Sequence, residues 1–169
     1  SIISDDGYYK IHKASKKNTT EKFAIKIFDF NNIISEYRNE NYEEPKQKDM
    51  DAFVQGLIEQ SRILSILNQN NINTVQLYEC FLTKDEFAMV MELCDTDLKI
   101  LFCNLPVFSL EQVYKTLTQL NNTFRIMAKN NIIHGDLKLD NILVKYKNAD
   151  KNSFTLKLTD YGVSNKYIL

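Results

Sequence analysis

Little in this chain breaks it or cross-links it. Its 169 residues include only 4 glycines and 2 prolines, far below the usual ~12% share of the two together, which excludes a loop-rich, collagen-like or low-complexity polymer. The three cysteines, Cys80, Cys94 and Cys103, form no C-x-x-C pair and leave an odd thiol, so neither a disulfide framework nor a four-cysteine zinc site can be built from them. The expected setting is reduced and intracellular, with the cytoplasm as first candidate. No apolar run reaches the ~18 residues of a membrane span, because Lys26, Glu92 and Asp136 interrupt the best candidates. Neither sign of charge dominates. With 21 Lys+Arg against 22 Asp+Glu the net charge is -1, and the basic excess of a dedicated nucleic-acid or anionic-membrane binder is missing. The chain starts at Ser1 without a charged-then-apolar leader, so its native N-terminus and any targeting signal are expected to lie outside it.

What is present is the material of an ordinary folded domain, or of part of a larger one. Hydrophobic residues make up 44% and charged residues 25%, which suits a packed core. From Ile2 to Phe30 the apolar residues are β-branched or aromatic and come in short runs, with the polar stretch Lys16 to Glu21 between two of them. This predicts strand, strand, turn, strand. Residues 31–50 are polar and charged, with Pro45 inside, and are expected to form an extended connection or surface insertion. Phe53, Val54, Leu57, Ile58, Ser61, Leu64 and Leu67 then recur at three- and four-residue steps, the spacing of one buried helix face. Val75 to Leu82 and Phe87 to Leu93 predict a hairpin around Thr83-Lys84-Asp85-Glu86. Further on, Ser109 with Gln112 makes a capping-box pattern. Leu110, Val113, Leu117, Leu120, Phe124 and Met127 continue it as a long helix whose apolar stripe is expected in the core. A loop, two short strands and polar tips follow.

Three short patterns carry chemistry. The first is Phe23-Ala24-Ile25-Lys26, a lysine within an apolar strand, which by itself is compatible with the wet face of a sheet. The second is His134-Gly135-Asp136-Leu137-Lys138-Leu139-Asp140-Asn141, with an acid and an amide five positions apart and a lysine between them. The third is Thr159-Asp160-Tyr161-Gly162, an apolar strand ending in an acid, an aromatic and a glycine.

In this order and these contexts the patterns resemble the V-A-I-K, H-R-D-L-x-x-x-x-N and D-F-G motifs of the protein kinase family. Met89-Val90-Met91-Glu92-Leu93-Cys94 resembles the strand that enters the family's hinge, and nearly the whole chain is covered. The resemblance implies an α+β, two-lobed fold. Residues 1–94 would be the small β-sheet lobe with one helix and the hinge strand, and 95–169 the first part of the helical large lobe, truncated in the activation segment. It also implies ATP and Mg²⁺ as cofactors and a protein as substrate. Lys26 would hold the α- and β-phosphates, and Lys138 would reach the γ-phosphate. Asp136 would be the catalytic base, with Asn141 and Asp160 as Mg²⁺ ligands. The Glu92 carbonyl and Cys94 backbone would meet adenine, Met91 would be the gatekeeper, and Asp97 would reach the ribose. Asp-Leu-Lys after His134-Gly135 points to the serine/threonine branch. His134 is assigned to packing and hydrogen bonding.

The sequence also departs from the family pattern. Of the three glycines of the phosphate loop only Gly7 stands in the stretch, and Asp5 and Asp6 bring negative charge there. Counting back from Leu64 puts Gln60 in place of the glutamate that pairs with the lysine, with Glu59 rotated by about 100°. Gly135 stands where many relatives have an arginine, so control through an arginine clamp on a phosphorylated segment is not expected. Two readings follow: an ATP-dependent serine/threonine kinase, or a pseudokinase acting as a nucleotide-binding or protein-interaction module.

Overall fold

The computed structural model describes residues 1–104, 109–149 and 153–161, and the backbone of 165–166. It divides into two units, one of Ser1–Ser61 with Leu77–Leu93, the other of Arg62–Gln76 with the chain from Cys94 onward.

In the first unit β1 (Ile2–Asp5), β2 (Lys10–Ser15) and β3 (Lys22–Asp29) follow one another as antiparallel neighbours, and β5 (Glu86–Glu92) and β4 (Leu77–Leu82) complete a sheet of order β1-β2-β3-β5-β4. The hairpin between β4 and β5 turns where the sequence predicts it: Thr83 N–H donates to the Glu86 carbonyl at 2.9 Å, and its hydroxyl accepts from the Asp85 and Glu86 amides. Register places Ala24 opposite Met91, Lys26 opposite Met89 and Phe28 opposite Phe87. Side chains directly opposite share a face, so Lys26 stands among Phe28, Phe87, Met89 and Met91, all buried. Phe53 of α2 (Gln47–Leu67) meets Phe28 edge-on with ring centroids 6.2 Å apart, so α2 covers this same face. Lys26 is therefore 5% exposed. The wet-face placement that its tetrapeptide alone allows is not the one it takes.

The expected polar connection over residues 31–50 is mostly helical instead. A helix, α1, spans Phe30–Asn41, and α2 begins at Gln47, before its apolar stripe. Asp29 caps α1 by accepting from the Asn31 and Asn32 amides, and Tyr42 closes it with a left-handed φ of 57°. The apolar residues Phe30, Ile33, Ile34 and Tyr37 of α1 keep helical spacing, with Ile33 buried and the other three half-buried. The signals for this helix were that spacing and the cap, a strand-ending aspartate. The unit thus carries two helices where the sequence analysis anticipates one.

In the second unit the end of α2 and the segment 68–76 precede β6 (Thr96–Asp97), α3 (Leu98–Cys103) and α4 (Leu110–Lys129). Then come β7 (Ile132–Ile133), a single 3-10 turn at Leu139–Asn141, β8 (Ile142–Tyr146), β9 (Phe154–Leu158) and β10 (Asn165–Lys166), with sheet order β6-β8-β9 and a pair β7-β10. The capping box forms as predicted: Gln112 N–H donates to Ser109 Oγ at 3.2 Å and Ser109 N–H to Gln112 Oε1 at 2.8 Å. The apolar stripe of α4 is only partly core. Leu110 is 88% exposed and Val113 and Leu117 are exposed too, whereas Thr116, Leu120, Thr123 and Met127 form the buried line. The buried line lies along the side where Thr123 donates to the carbonyl of Asn73, and hydropathy alone does not rank a threonine above a leucine.

Candidate functional site

In the first unit the residues of interest gather around Lys26. The Tyr9 ring lies over the Lys26 ammonium, 3.7 Å from Nζ to the centroid, and Phe28 stands 5.2 Å away. A cation held against two rings in a largely dry place is stabilised by the ring quadrupoles. Tyr9 arrives there from the turn between β1 and β2. That turn is fastened by its own acids: Asp5 Oδ1 accepts from the Gly7 amide at 3.3 Å, and Asp6 Oδ1 accepts from Tyr8 and Tyr9 at 3.1 and 3.0 Å. Three successive N–H groups, the kind of donors that cradle an anion, are thus turned onto carboxylates. Gly7 is required by its φ of 89° and not by space, since a Cβ there would meet only Glu36 at ordinary contact distance. Tyr8 is bonded to Glu40 of α1, and that bond, with the nearby charges of Glu36 and Asp6, pushes its hydroxyl up to about 12. Of the neighbours Glu59 and Gln60, the structure buries Gln60 and leaves Glu59 half-buried. On β5, Met91 is buried opposite Ala24 and Glu92 is half-buried at the strand end.

In the second unit the loop from His134 to Asn141 is closed by side chains. Asn141, itself buried, donates through Nδ2 to the Asp136 carbonyl at 2.9 Å and to Asp136 Oδ2 at 3.0 Å. Lys138 Nζ lies 2.6 Å from the same Oδ2. The Lys138 contact, followed by the Asn141 bond, holds the Asp136 carboxyl below the usual carboxylate range, and Asp136 in turn raises Lys138. Both charges are therefore present at neutral pH. Gly135 takes a φ of 82° and Asn131 one of 53°, the left-handed steps that turn the chain out of α4 and into the loop. Asp140 is tied to Lys99 of α3 at 2.8 Å. Asp97 caps α3, its Oδ1 accepting from Ile100 N–H at 2.7 Å, and Cys94 is half-buried just after β5.

The strand β9 delivers Asp160 to this loop. The Thr159 amide donates to the Asn141 carbonyl at 3.0 Å, and His134 Nε2 bonds the Thr159 carbonyl at 2.9 Å. The Asp136 amide donates to His134 Nδ1 at 3.3 Å. One nitrogen must then donate and the other accept, which selects the neutral imidazole with its proton on Nε2. His134 also packs on Tyr161 with ring centroids 4.8 Å apart, the packing and hydrogen-bonding role expected of it. Asp160 itself has a φ of 63°. Gly162, the last residue of the third motif, lies outside the described residues.

A magnesium ion suits the donors that this arrangement leaves. With Nδ2 of Asn141 committed to Asp136, its Oδ1 is the amide atom left for a cation, and Asp160 supplies a carboxylate just after β9. Among the described residues no cluster of three or more His, Cys, Asp and Glu could hold a metal. Two oxygen ligands completed by phosphate and water are a magnesium pattern, whereas zinc would need a fuller protein shell. Asp136, Lys138 and Asn141, singled out in the sequence, share one loop, and the segment leading to Asp160 is tied to it through Thr159. Sequence reasoning missed Tyr9, whose signal was an aromatic two positions past Gly7, and the Lys99–Asp140 pair, which has no local signal.

Burial keeps the His134 imidazole below its ordinary 6.5. The unfolded chain takes up a proton there that the fold refuses, so stability is full above about pH 6.5 and falls as pH drops below it, with a slope of at most ~1.4 kcal/mol per pH unit from this group. Urea unfolding at pH 7.5 and 5.5 should show this loss, and His134→Gln should shrink the difference between the two pH values. An equal difference in the variant would contradict the buried neutral imidazole.

Comparison with known proteins identifies the family. The model of the protein kinase domain matches residues 6–168. The mouse serine/threonine-protein kinase 33 is 27% identical over 167 residues, covering 96% of this chain and 30% of that protein. The probable serine/threonine-protein kinase fhkE of Dictyostelium discoideum is 30% identical, over 96% of this chain and 21% of its own length. The serine/threonine-protein kinase greatwall of Xenopus laevis is 28% identical over 96% of this chain and 16% of its own. The chain thus spans less than a third of the length of these relatives. With a family match over nearly its whole length, it belongs to the protein kinase domain family.

Proposed function

We propose that the protein transfers the γ-phosphoryl group of ATP to a serine or threonine hydroxyl of another protein. The observation that carries this reading is the grouping of Asp136, Lys138 and Asn141 on one closed loop with Asp160 just after the strand tied to it. Packing does not require four such side chains together. The names of the relatives support the serine/threonine class, and the retained polar set favours a catalytic protein over a nucleotide-binding module without turnover. A cytoplasmic setting is part of the reading: no cysteine forms a disulfide, and among the described residues no helix is long and apolar enough to cross a membrane.

In the reaction the acceptor oxygen forms a bond to the γ-phosphorus while the bond from that phosphorus to the β,γ-bridging oxygen breaks, releasing ADP. Asp136 orients the acceptor hydroxyl and takes up its proton, and its lowered pKa keeps it ionised for that purpose. Lys138, paired with Asp136 here, is long enough to turn to the γ-phosphate once an acceptor occupies the carboxylate. Lys26 would neutralise the α- and β-phosphates, exchanging the Tyr9 ring for oxygen. Asn141 Oδ1 and Asp160 would hold Mg²⁺, which supplies charge neutralisation at the phosphates when bound. Gln60 would take the place of the lysine's acidic partner, and Met91, Glu92, Cys94 and Asp97 would meet the nucleoside. Asp5 and Asp6 work against this: they hold the turn's amides and set negative charge beside a polyanion.

Two outcomes are expected of the full chain. Asp136→Asn should lower kcat by roughly 10²–10⁴ while ATP affinity stays near wild type, as read by single-turnover phosphate transfer and equilibrium binding. Unchanged turnover would place the chemistry elsewhere. Asp6→Ala should free the Tyr8 and Tyr9 amides and remove one like charge, tightening ATP by roughly fivefold, the effect of about 1 kcal/mol of surface repulsion. Weaker binding in a titration would show that the turn needs Asp6 to accept phosphate at all.

A further inference from the structure

Between Asn71 and Val75 the second unit carries a run of buried polar contacts that the proposed chemistry does not use. Val75 N–H donates to the Leu158 carbonyl and Leu158 N–H to the Asn73 carbonyl, both at 2.9 Å, so this segment lies as an extra strand-like edge along β9. Asn73 Nδ2 donates to the Leu156 carbonyl at 2.9 Å. Asn71 Nδ2 donates to Thr123 Oγ1 at 3.0 Å and to Thr74 Oγ1 at 3.2 Å, and Thr123 donates to the Asn73 carbonyl at 3.2 Å. The run ends at Thr74, whose hydroxyl shares a 3.3 Å hydrogen bond with the hydroxyl of Tyr161, 87 positions later. Each of these two residues is only 1% exposed.

Asp160 sits between two anchors. On its N-terminal side Thr159 is bonded to Asn141 and His134. On its C-terminal side Tyr161 is packed on His134 and hydrogen-bonded to Thr74. A non-glycine residue keeps a left-handed φ such as the 63° of Asp160 when its neighbours over-determine it. We propose that Thr74 is a positioning residue for Asp160: its hydroxyl, held by Asn71, fixes the Tyr161 hydroxyl and so keeps the turn that presents the Asp160 carboxylate. This rests on the reading of Asp160 as a magnesium ligand. A hydroxyl pair in a dry place holds its bond only while both partners are present, and removing one also strands the other.

Three variants of the full chain and two readouts test it. Thr74→Val keeps the shape but strands the Tyr161 hydroxyl. Thr74→Ser keeps the hydroxyl, and Thr74→Val with Tyr161→Phe removes the pair together. One readout is the Mg²⁺ concentration that half-saturates ATP binding, and the other is amide hydrogen exchange at Asp160 and Tyr161 without nucleotide or metal. Thr74→Val should raise the Mg²⁺ requirement roughly tenfold, the usual effect of losing a residue that orients a metal ligand, and should accelerate exchange at both amides. ATP affinity without Mg²⁺ should not change. Thr74→Ser should stay within about twofold of wild type in both readouts, since it keeps the hydroxyl. The double variant strands no hydroxyl but loses the bond, so it should be impaired in both readouts like Thr74→Val. A Thr74→Val protein with wild-type Mg²⁺ requirement and exchange would overturn the proposal, even with a lowered Tm. So would a double variant with wild-type behaviour in both. If the wild-type protein binds ATP without any Mg²⁺ dependence, the magnesium reading fails, and the exchange rates alone decide whether Thr74 positions Asp160.

Discussion

The second unit depends on the carboxamide of Asn141. Its Nδ2 closes the loop from Asp136 by bonding both the backbone and the side chain of that residue, while its carbonyl takes the amide of Thr159. One buried residue therefore sets the direction of the Asp136 carboxylate, the atom left for a cation and the path of the chain into Asp160. A buried amide with only part of its capacity met would cost a few kcal/mol. Full use of Nδ2 and of the backbone carbonyl makes the loop a single closed structure, not a string of exposed polar residues. Lys138 adds charge to this frame without being needed to close it.

The first unit solves a different problem, that of placing a lysine under a helix. Its register puts Lys26 on the covered face, and burial of an ammonium is costly unless something favours the charged form. Tyr9 and Phe28 supply part of that through their ring faces. The same geometry gives Tyr9 a second consequence, because a ring 3.7 Å from Nζ occupies space that an anion bound to this lysine would take. The turn that carries Tyr9 is fastened by Asp5 and Asp6 inside and by the Tyr8–Glu40 bond to α1 outside. Anion binding at Lys26 is accordingly a competition with the protein's own aromatic and carboxylate groups.

Much of this was legible in the sequence because it depends on local pattern. Short runs of β-branched, aromatic and other apolar residues marked β1 to β5, the Thr83 to Glu86 turn marked the hairpin, and Ser109 with Gln112 marked the start of α4. The spacing of Asp136, Lys138 and Asn141 marked the loop after α4. What was not legible depends on polarity used inside. The buried line of α4 runs through Thr116 and Thr123 in place of Leu110, Val113 and Leu117. The hydroxyl pair of Thr74 and Tyr161 joins positions 87 apart, a relation that no local pattern encodes.

The central claim is that the protein binds ATP as its magnesium complex, with Lys26 among the groups that neutralise the phosphates. Isothermal titration of the full chain with ATP, run with Mg²⁺ and with EDTA, on wild type and on Lys26→Met, tests it most directly. The account predicts saturable binding that weakens by tenfold or more in EDTA, roughly the effect of losing 1.4 kcal/mol of phosphate neutralisation, and that weakens similarly in Lys26→Met with Mg²⁺ present. Binding indifferent to both the metal and the lysine, or no binding by the folded wild-type protein, would contradict it.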